Sequence, residues 1–141
     1  MDIYDIVIDT NVLVAGLRSR RGYAFKLLSL VGQGMFDIHL SVPLVLEYEA
    51  VLNREMPTMI PRNVVDAVID YHCAVGHHHR IFYLWRPFLK DPKDDMVLEL
   101  AVAARCSHIV TYNIRDFQGI EQFSVQAIEP HGFLKVIGEV Q

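Results

Sequence analysis

Short apolar runs alternate along the chain with longer stretches in which apolar residues recur at helical spacing. The runs have the length of strands, and the first, DIVI, is the near-continuous kind found in strands covered on both faces. They lie at residues 5–8, 36–41, 108–112 and 123–128. The helical stretches lie at residues 12–17, 23–33, 62–75, 94–105 and 132–137, with one more after Ser41.

Strands that alternate with helices in this way require crossover connections, which join parallel strands. The pattern therefore predicts a three-layer α/β/α sandwich with a mostly parallel sheet of four to five strands. We expect one domain over residues 1–141.

Two segments in the middle of the chain interrupt the pattern. EMPTMIP at residues 55–61 predicts a break, and GHHHR at 76–80 predicts a loop before a short apolar segment at 81–85. The histidine run at 77–79 raises the question of a zinc site. Adjacent residues do not converge on one ion, however, and no cysteine lies beside them. A solvent-facing loop is therefore the favoured interpretation.

Composition places the chain among globular proteins. Of its 141 residues, 52% are hydrophobic and 21% charged, enough apolar surface for a core. No apolar run approaches the ~18 residues of a membrane helix, and the start, MDIYD, lacks the positive region of a signal peptide. Cys73 and Cys106 lie far apart and are expected to be reduced thiols. These features predict a cytoplasmic protein.

The net charge of −4 argues against nonspecific binding to nucleic acid, which usually needs a basic face. The argument fails if several acids are concentrated at one metal site, because the cations can then surround that site while the total stays negative.

Five acidic residues fall at positions that the predicted fold directs to one edge. In a parallel α/β sheet, each strand ends and the next helix begins on the same edge, where ligands bind. Asp9 follows the first strand, and Glu47 lies in the helix after the second. Asp94 and Asp95 open the helix before HIVTY, and Asp116 follows that strand.

Each of these acids also has a purely structural interpretation. Asp9 can cap the helix that follows it, and Glu47 can be a solvated helix residue. Asp116 can be a turn residue, and the aspartates at a helix start can serve as caps and dipole partners.

Because these acids are expected to lie close together, metal binding is favoured over the purely structural interpretations. Carboxylates forced together repel one another unless a cation intervenes. Oxygen-only ligands suit Mg²⁺ or Mn²⁺, which can activate a water and stabilise a phosphoryl transition state. That is the chemistry of metal-dependent nucleases.

The segments that carry these acids resemble, in order and spacing, the PIN domain, a small metal-dependent ribonuclease fold. They are VIDTNVL, SVPLVLEYEAVL, DPKDDMVLELAVAA and HIVTYNIRDF. The tail PHGFLKVI is similar to the end of a PIN subfamily described as toxin components of toxin–antitoxin systems. The resemblance implies a Mg²⁺- or Mn²⁺-dependent endoribonuclease that leaves a 5′-phosphate and a 3′-hydroxyl. In the toxin subfamily it also implies an antitoxin partner, and PIN proteins often form homodimers.

Carried over by position, the resemblance assigns catalysis and metal binding to Asp9, Glu47, Asp95 and Asp116. Asp94 can share or replace the role of Asp95. Glu49 is a rival to Glu47 that points to another side of the same helix.

Other polar residues near the predicted edge are candidates for supporting roles. Asn11, Thr111 and Asn113 fit residues that orient the carboxylates or a water, although turn and strand-end roles explain them equally well. Cations in the predicted loops are candidate contacts to RNA phosphates. They are Arg18, Arg20, Arg21, Lys90, Lys93 and Arg115.

Two other classes of protein share some of these features. A catalytically inactive or receiver-like binding and signalling module also carries acids at the end of a parallel sheet. A receiver, however, has an acid pair after its first strand, where this chain has Asp9 followed by Thr10 and Asn11. A phosphatase of the haloacid-dehalogenase kind needs a second aspartate at position 11, so it ranks last.

Overall fold

Five parallel strands form the sheet of the computed structural model, which describes residues 3–56, 60–81 and 87–141. In chain order they are β1 (Tyr4–Ile8), β2 (Phe36–Leu40), β3 (His77–His78), β4 (His108–Val110) and β5 (Gln126–Ile128). Their order in the sheet is β3-β2-β1-β4-β5, and every described pairing is parallel. The predicted α/β/α class with a parallel sheet is confirmed.

The described ranges also contain six α-helices. They are α1 (Thr10–Arg18), α2 (Tyr23–Ser29), α3 (Val42–Glu55), α4 (Arg62–Val75), α5 (Pro92–Ala103) and α6 (Pro130–Val136). Within these ranges, none is both long and apolar enough to cross a membrane.

Most of the helices lie where the pattern predicts them, and the differences have local causes. Helix α2 ends before the predicted residue 33, and the chain turns through left-handed glycines at Gly32 and Gly34. Helix α5 starts before the predicted residue 94, because the Asp91 carboxylate accepts a hydrogen bond from the Lys93 amide and caps the helix.

The central strand β1 is buried on both faces. Ile6, Val7 and Ile8 are at most 1% exposed, although successive side chains of a strand point to opposite faces. The buried apolar residues form one continuous cluster around this strand. The end of β1 is therefore a rigid position from which to present Asp9.

The first two histidines of the run form β3, so the predicted loop at 76–80 is wrong at His77 and His78, although both are exposed to solvent as predicted. His77 pairs with His39 and His78 with Leu40, which places β3 at the edge of the sheet beside β2. The buried His39 ring contacts a ring nitrogen of His79 at 2.7 Å. A two-residue strand is too short to show an alternating pattern, so the sequence gives no signal for it.

Two other predictions fall partly outside the described residues. The apolar segment at 81–85 lies there except for its first residue, and the break at 55–61 lies partly there.

The order of the strands locates a crevice between β1 and β4. In this order the connections proceed from β1 to one edge of the sheet and then return to β4 on its other side. Ligands of open α/β sheets bind at such a point, outside the carboxyl ends of the strands. Flavodoxin-like sheets, including those of receivers, have the order 2-1-3-4-5 instead. The observed order therefore does not match the receiver-like alternative.

Tyr48 connects helix α3 to this crevice, and removing its hydroxyl tests the connection. Tyr48 is 1% exposed, and its hydroxyl donates to the carbonyl oxygen of Ile8, next to Asp9. We expect Tyr48→Phe to lower the free energy of unfolding in urea by about 1 kcal/mol. Tyr71→Phe is the matched control, because Tyr71 is 42% exposed and water can replace its bond to Val31. Equal losses in the two variants would contradict the prediction.

An acidic cleft as the candidate functional site

A cleft of about 650 Å³ opens outside the carboxyl ends of β1 and β4. Four of the predicted acids line it, although up to about a hundred positions separate them in the sequence. They are Asp9, Glu47, Asp94 and Asp116. The predicted convergence of acids at this edge is therefore present in the structure.

Asp9 both caps helix α1 and lines the cleft. One carboxylate oxygen accepts the Thr10 amide at 2.9 Å. The other accepts the Asn11 side-chain amide at 3.1 Å and the Thr111 hydroxyl at 2.9 Å. Burial raises the pKa of Asp9, nearby Glu47 adds to the rise, and these hydrogen bonds oppose it. The cap and the functional interpretation are thus compatible, since one carboxylate serves both.

Thr111 is the centre of a small hydrogen-bond network around Asp9. It is fully buried, and its hydroxyl accepts the side-chain amide of Asn11 and the backbone amide of Asn113. Asn11 in turn accepts the Tyr112 amide at 2.9 Å. The structure brings all three predicted orienting residues to the cleft or to Asp9, and Asn113 is the most exposed of them.

Glu47 is held by a residue that the sequence reasoning missed. The hydroxyl of Thr10 donates to one carboxylate oxygen of Glu47 at 2.8 Å, and Thr10 is only 6% exposed. Lys93 lies 3.8 Å from the other oxygen. The rival Glu49 is exposed and does not line the cleft. A hydroxyl directly after Asp9 is visible in the sequence, but a threonine between the first strand and the helix predicted at 12–17 indicates no tertiary partner.

Asp94 and Asp95 have different environments. Asp94 lines the cleft, whereas Asp95 is 6% exposed and does not. One carboxylate oxygen of Asp95 accepts the backbone amides of Phe88 at 3.1 Å and Leu89 at 2.9 Å. Successive residues of a helix point about 100° apart, so only one of the two faces the cleft. The resemblance assigns metal binding to Asp95, but the residue that faces the cleft in the structure is Asp94.

The acids of the cleft repel one another. The pKa of Asp94 is raised to about 7, first by burial and then by the charges of neighbouring carboxylates. Those neighbours are Asp9, Asp91, Asp116 and Glu47. Without a bound cation, the cleft therefore holds more negative charge than its surroundings compensate.

Cations lie on both sides of these acids. Arg18 and Lys93 line the same cleft. A second cleft of about 530 Å³ shares Asp94 and Asp116 with the first and is lined by Lys90 and Arg115. Two other predicted RNA contacts, Arg20 and Arg21, are exposed and line neither cleft.

The donor set fits Mg²⁺ or Mn²⁺. It consists of carboxylate oxygens, which hard divalent cations prefer. Across residues 3–56, 60–81 and 87–141, no three acidic, histidine or cysteine side chains are placed to coordinate one ion together. Mg²⁺ commonly takes one or two carboxylates and keeps several waters, so this arrangement is compatible with it.

A parallel α/β sheet with an acidic, cation-flanked cleft at its switch point is an architecture suited to metal-assisted phosphoryl chemistry. A family model described as PIN domain matches residues 5–115. The chain therefore belongs to the PIN domain family, and the predicted family is confirmed. PIN domains are in general nucleases that depend on divalent metal ions.

One solved structure supports the fold independently. A chain in the crystal structure of VapBC2 from Rickettsia felis bound to a DNA fragment from their promoter is similar to this one, with a TM-score of 0.60. The likeness covers 89% of this chain and 99% of that chain at 15% identity, so it shows the fold. No curated protein matches the sequence.

The raised pKa of Asp94 predicts a pH dependence of stability. Its value of about 7 in the folded state lies above the ordinary 3.8, so between these values the folded protein binds more protons than the unfolded one. Stability of the metal-free protein should therefore fall as pH rises from about 5 to about 7. We expect Asp94→Asn to reduce this fall, measured as Tm in EDTA. The same fall in both proteins would contradict the prediction.

Proposed function

We propose that the chain is an endoribonuclease that hydrolyses RNA phosphodiester bonds with Mg²⁺ or Mn²⁺ as cofactor. The observation that carries the proposal is the convergence of Asp9, Glu47, Asp94 and Asp116 in one cleft, where a bound cation would relieve their mutual repulsion. Membership of the PIN family supports nuclease chemistry. RNA as the substrate rests on the sequence resemblance.

Different residues have different roles in the proposed hydrolysis. The bound ion supplies the charge that activates a water and offsets charge on the phosphoryl group. Asp9 and Asp94 would hold it, with Thr111 fixing the orientation of Asp9. Asp116 is exposed where the two clefts meet, so it can accept the proton of the attacking water and release it to solvent. The bond from phosphorus to the 3′ oxygen breaks and this oxygen takes a proton from solvent, which leaves a 5′-phosphate and a 3′-hydroxyl.

The two clefts supply a path for a single strand of RNA. Arg18 and Lys93 lie on one side of the acids, and Lys90 and Arg115 on the other. Lys93, Lys90 and Arg115 are suited to phosphates before and after the bond that is cut, because phosphate contacts position a strand without reading its sequence. They also explain how a chain of net charge −4 can bind a polyanion.

The two adjacent aspartates of helix α5 provide the sharpest test of the site. Asp94→Asn should lower cleavage of single-stranded RNA in Mn²⁺ by about a thousandfold, because it removes a charge worth several kcal/mol in the transition state. Asp9→Asn should do the same. Asp95→Asn is the matched control, since its carboxylate contacts backbone amides instead. It should retain cleavage and lose stability. Full activity of Asp9→Asn or Asp94→Asn would rule out the proposed nuclease.

We further propose that the enzyme is the toxin of a toxin–antitoxin pair. The tail PHGFLKVI and the structural likeness to a chain of VapBC2 support this role. An apolar groove of about 460 Å³ between α2 and α4 supplies a surface for the antitoxin. Its walls include the partly exposed Phe25, Val64 and Tyr71. A homodimer is the expected state of the free enzyme.

Expression in a bacterial host tests the toxin role. The wild-type chain should arrest growth, and Asp94→Asn should not, because arrest requires cleavage of RNA. Co-expression of the protein encoded next to this gene should restore growth. Val64→Asp should prevent that rescue and still arrest growth, whereas Val42→Asp, at an exposed position outside the groove, should leave rescue intact. Normal growth with active wild-type enzyme would contradict the toxin role and leave the nuclease intact.

A further inference from the structure

The acidic cleft continues beyond the carboxylates along the contact between α1 and α3. On α1, the residues that line it follow helical spacing: Asn11, Val14, Ala15 and Arg18. The cleft is therefore acidic beside Asn11, apolar along Val14 and Ala15, and charged again at Arg18.

On the other side of the cleft, the residues of helix α3 also change from acidic to apolar to charged. Glu47, Val51 and Glu55 line the cleft at intervals of four residues. Glu55 accepts a hydrogen bond from Arg18 at 3.2 Å, so an ion pair spans the far end between the two helices. The seven residues from Asn11 to Arg18 place this pair about 10 Å from the acids.

We propose that this end of the cleft is a subsite for the base of a nucleotide that neighbours the scissile phosphate in single-stranded RNA. The inference rests on the proposed nuclease function and adds a determinant of sequence preference. A base packs its face on the apolar wall of Val14, Ala15 and Val51. Its edge meets the guanidinium of Arg18, which donates, and the carboxylate of Glu55, which accepts; such side chains read base edges.

The chemistry of the far end suits a base better than a phosphate. Arg18 and Glu55 neutralise each other inside the cleft, and Arg54, the other cation beside Glu55, does not line it, so the pair offers little net attraction to a phosphate there. An apolar wall also offers nothing to an anion, whereas it suits the face of a base. The Arg18 and Glu55 side chains are 47% and 41% exposed, so both retain polar atoms that a ligand can reach. This assignment replaces the phosphate contact expected of Arg18.

Exchange of the two charges separates base recognition from a structural ion pair. The double variant Arg18→Glu/Glu55→Arg keeps a pair across the cleft but interchanges donor and acceptor. With Mn²⁺ and a single-stranded RNA of randomised sequence, the wild-type enzyme should prefer one base at one position beside the cut. The double variant should change that preference by about tenfold or more. Its Tm without metal should stay near that of the wild type.

Arg54 supplies the control. It lies 3.8 Å from Glu55 but does not line the cleft, so Arg54→Ala should keep the wild-type preference. If the double variant does not fold, Glu55→Gln replaces it, because the amide alters the acceptor without changing shape, and the same shift is expected. An unchanged preference in a folded, active variant, or no preference in the wild type, overturns the subsite and leaves the nuclease standing. Absence of any cleavage by the wild-type enzyme overturns both.

Discussion

The structure depends on a nearly buried carboxylate at the end of the central strand. Asp9 is 6% exposed, yet three hydrogen-bond donors satisfy its oxygens. Those donors come from Thr10, Asn11 and Thr111, so the start of α1 and the end of β4 are both ordered around one charge. They satisfy its hydrogen-bonding needs without neutralising it, which leaves the cleft repulsive until a cation binds. The unfavourable electrostatic energy of this buried charge thus falls at the candidate functional site.

The topology of the sheet explains why residues far apart in sequence meet there. The ladder between β1 and β4 extends one residue past β1, since the Asp9 amide donates to the carbonyl oxygen of Val110 at 2.9 Å. This register sets Thr111 beside Asp9, and the crossover through α5 delivers Asp94 to the same edge. The site is therefore a consequence of strand order and register, and a shift of one residue in either strand would turn these side chains to the opposite face.

The sequence predicts the class of fold and most of the acids that line the cleft, because strand ends of a parallel sheet meet at one edge. What it cannot predict depends on tertiary partners. The choice between Asp94 and Asp95 is decided by two backbone amides, those of Phe88 and Leu89, which hold Asp95 away from the cleft. The hydrogen bond from Thr10 to Glu47 joins two different helices, so it depends on how those helices pack. Strand β3 forms because it pairs with β2, and its two residues are too few to show an alternating hydrophobic pattern.

In the proposed nuclease, the distribution of charge would couple the binding of RNA to that of the metal ion. Without a cation, the acids at the junction of the two clefts would repel a phosphate, although Lys93, Lys90 and Arg115 would attract the strand on either side. A divalent ion would offset two of these negative charges and leave the flanking cations unchanged. The neighbouring carboxylates, which after burial raise the pKa of Asp94, would also repel the scissile phosphate, so in the proposed nuclease a bound ion would assist the binding of RNA as well as its hydrolysis. By thermodynamic linkage, RNA should in turn tighten the binding of the ion.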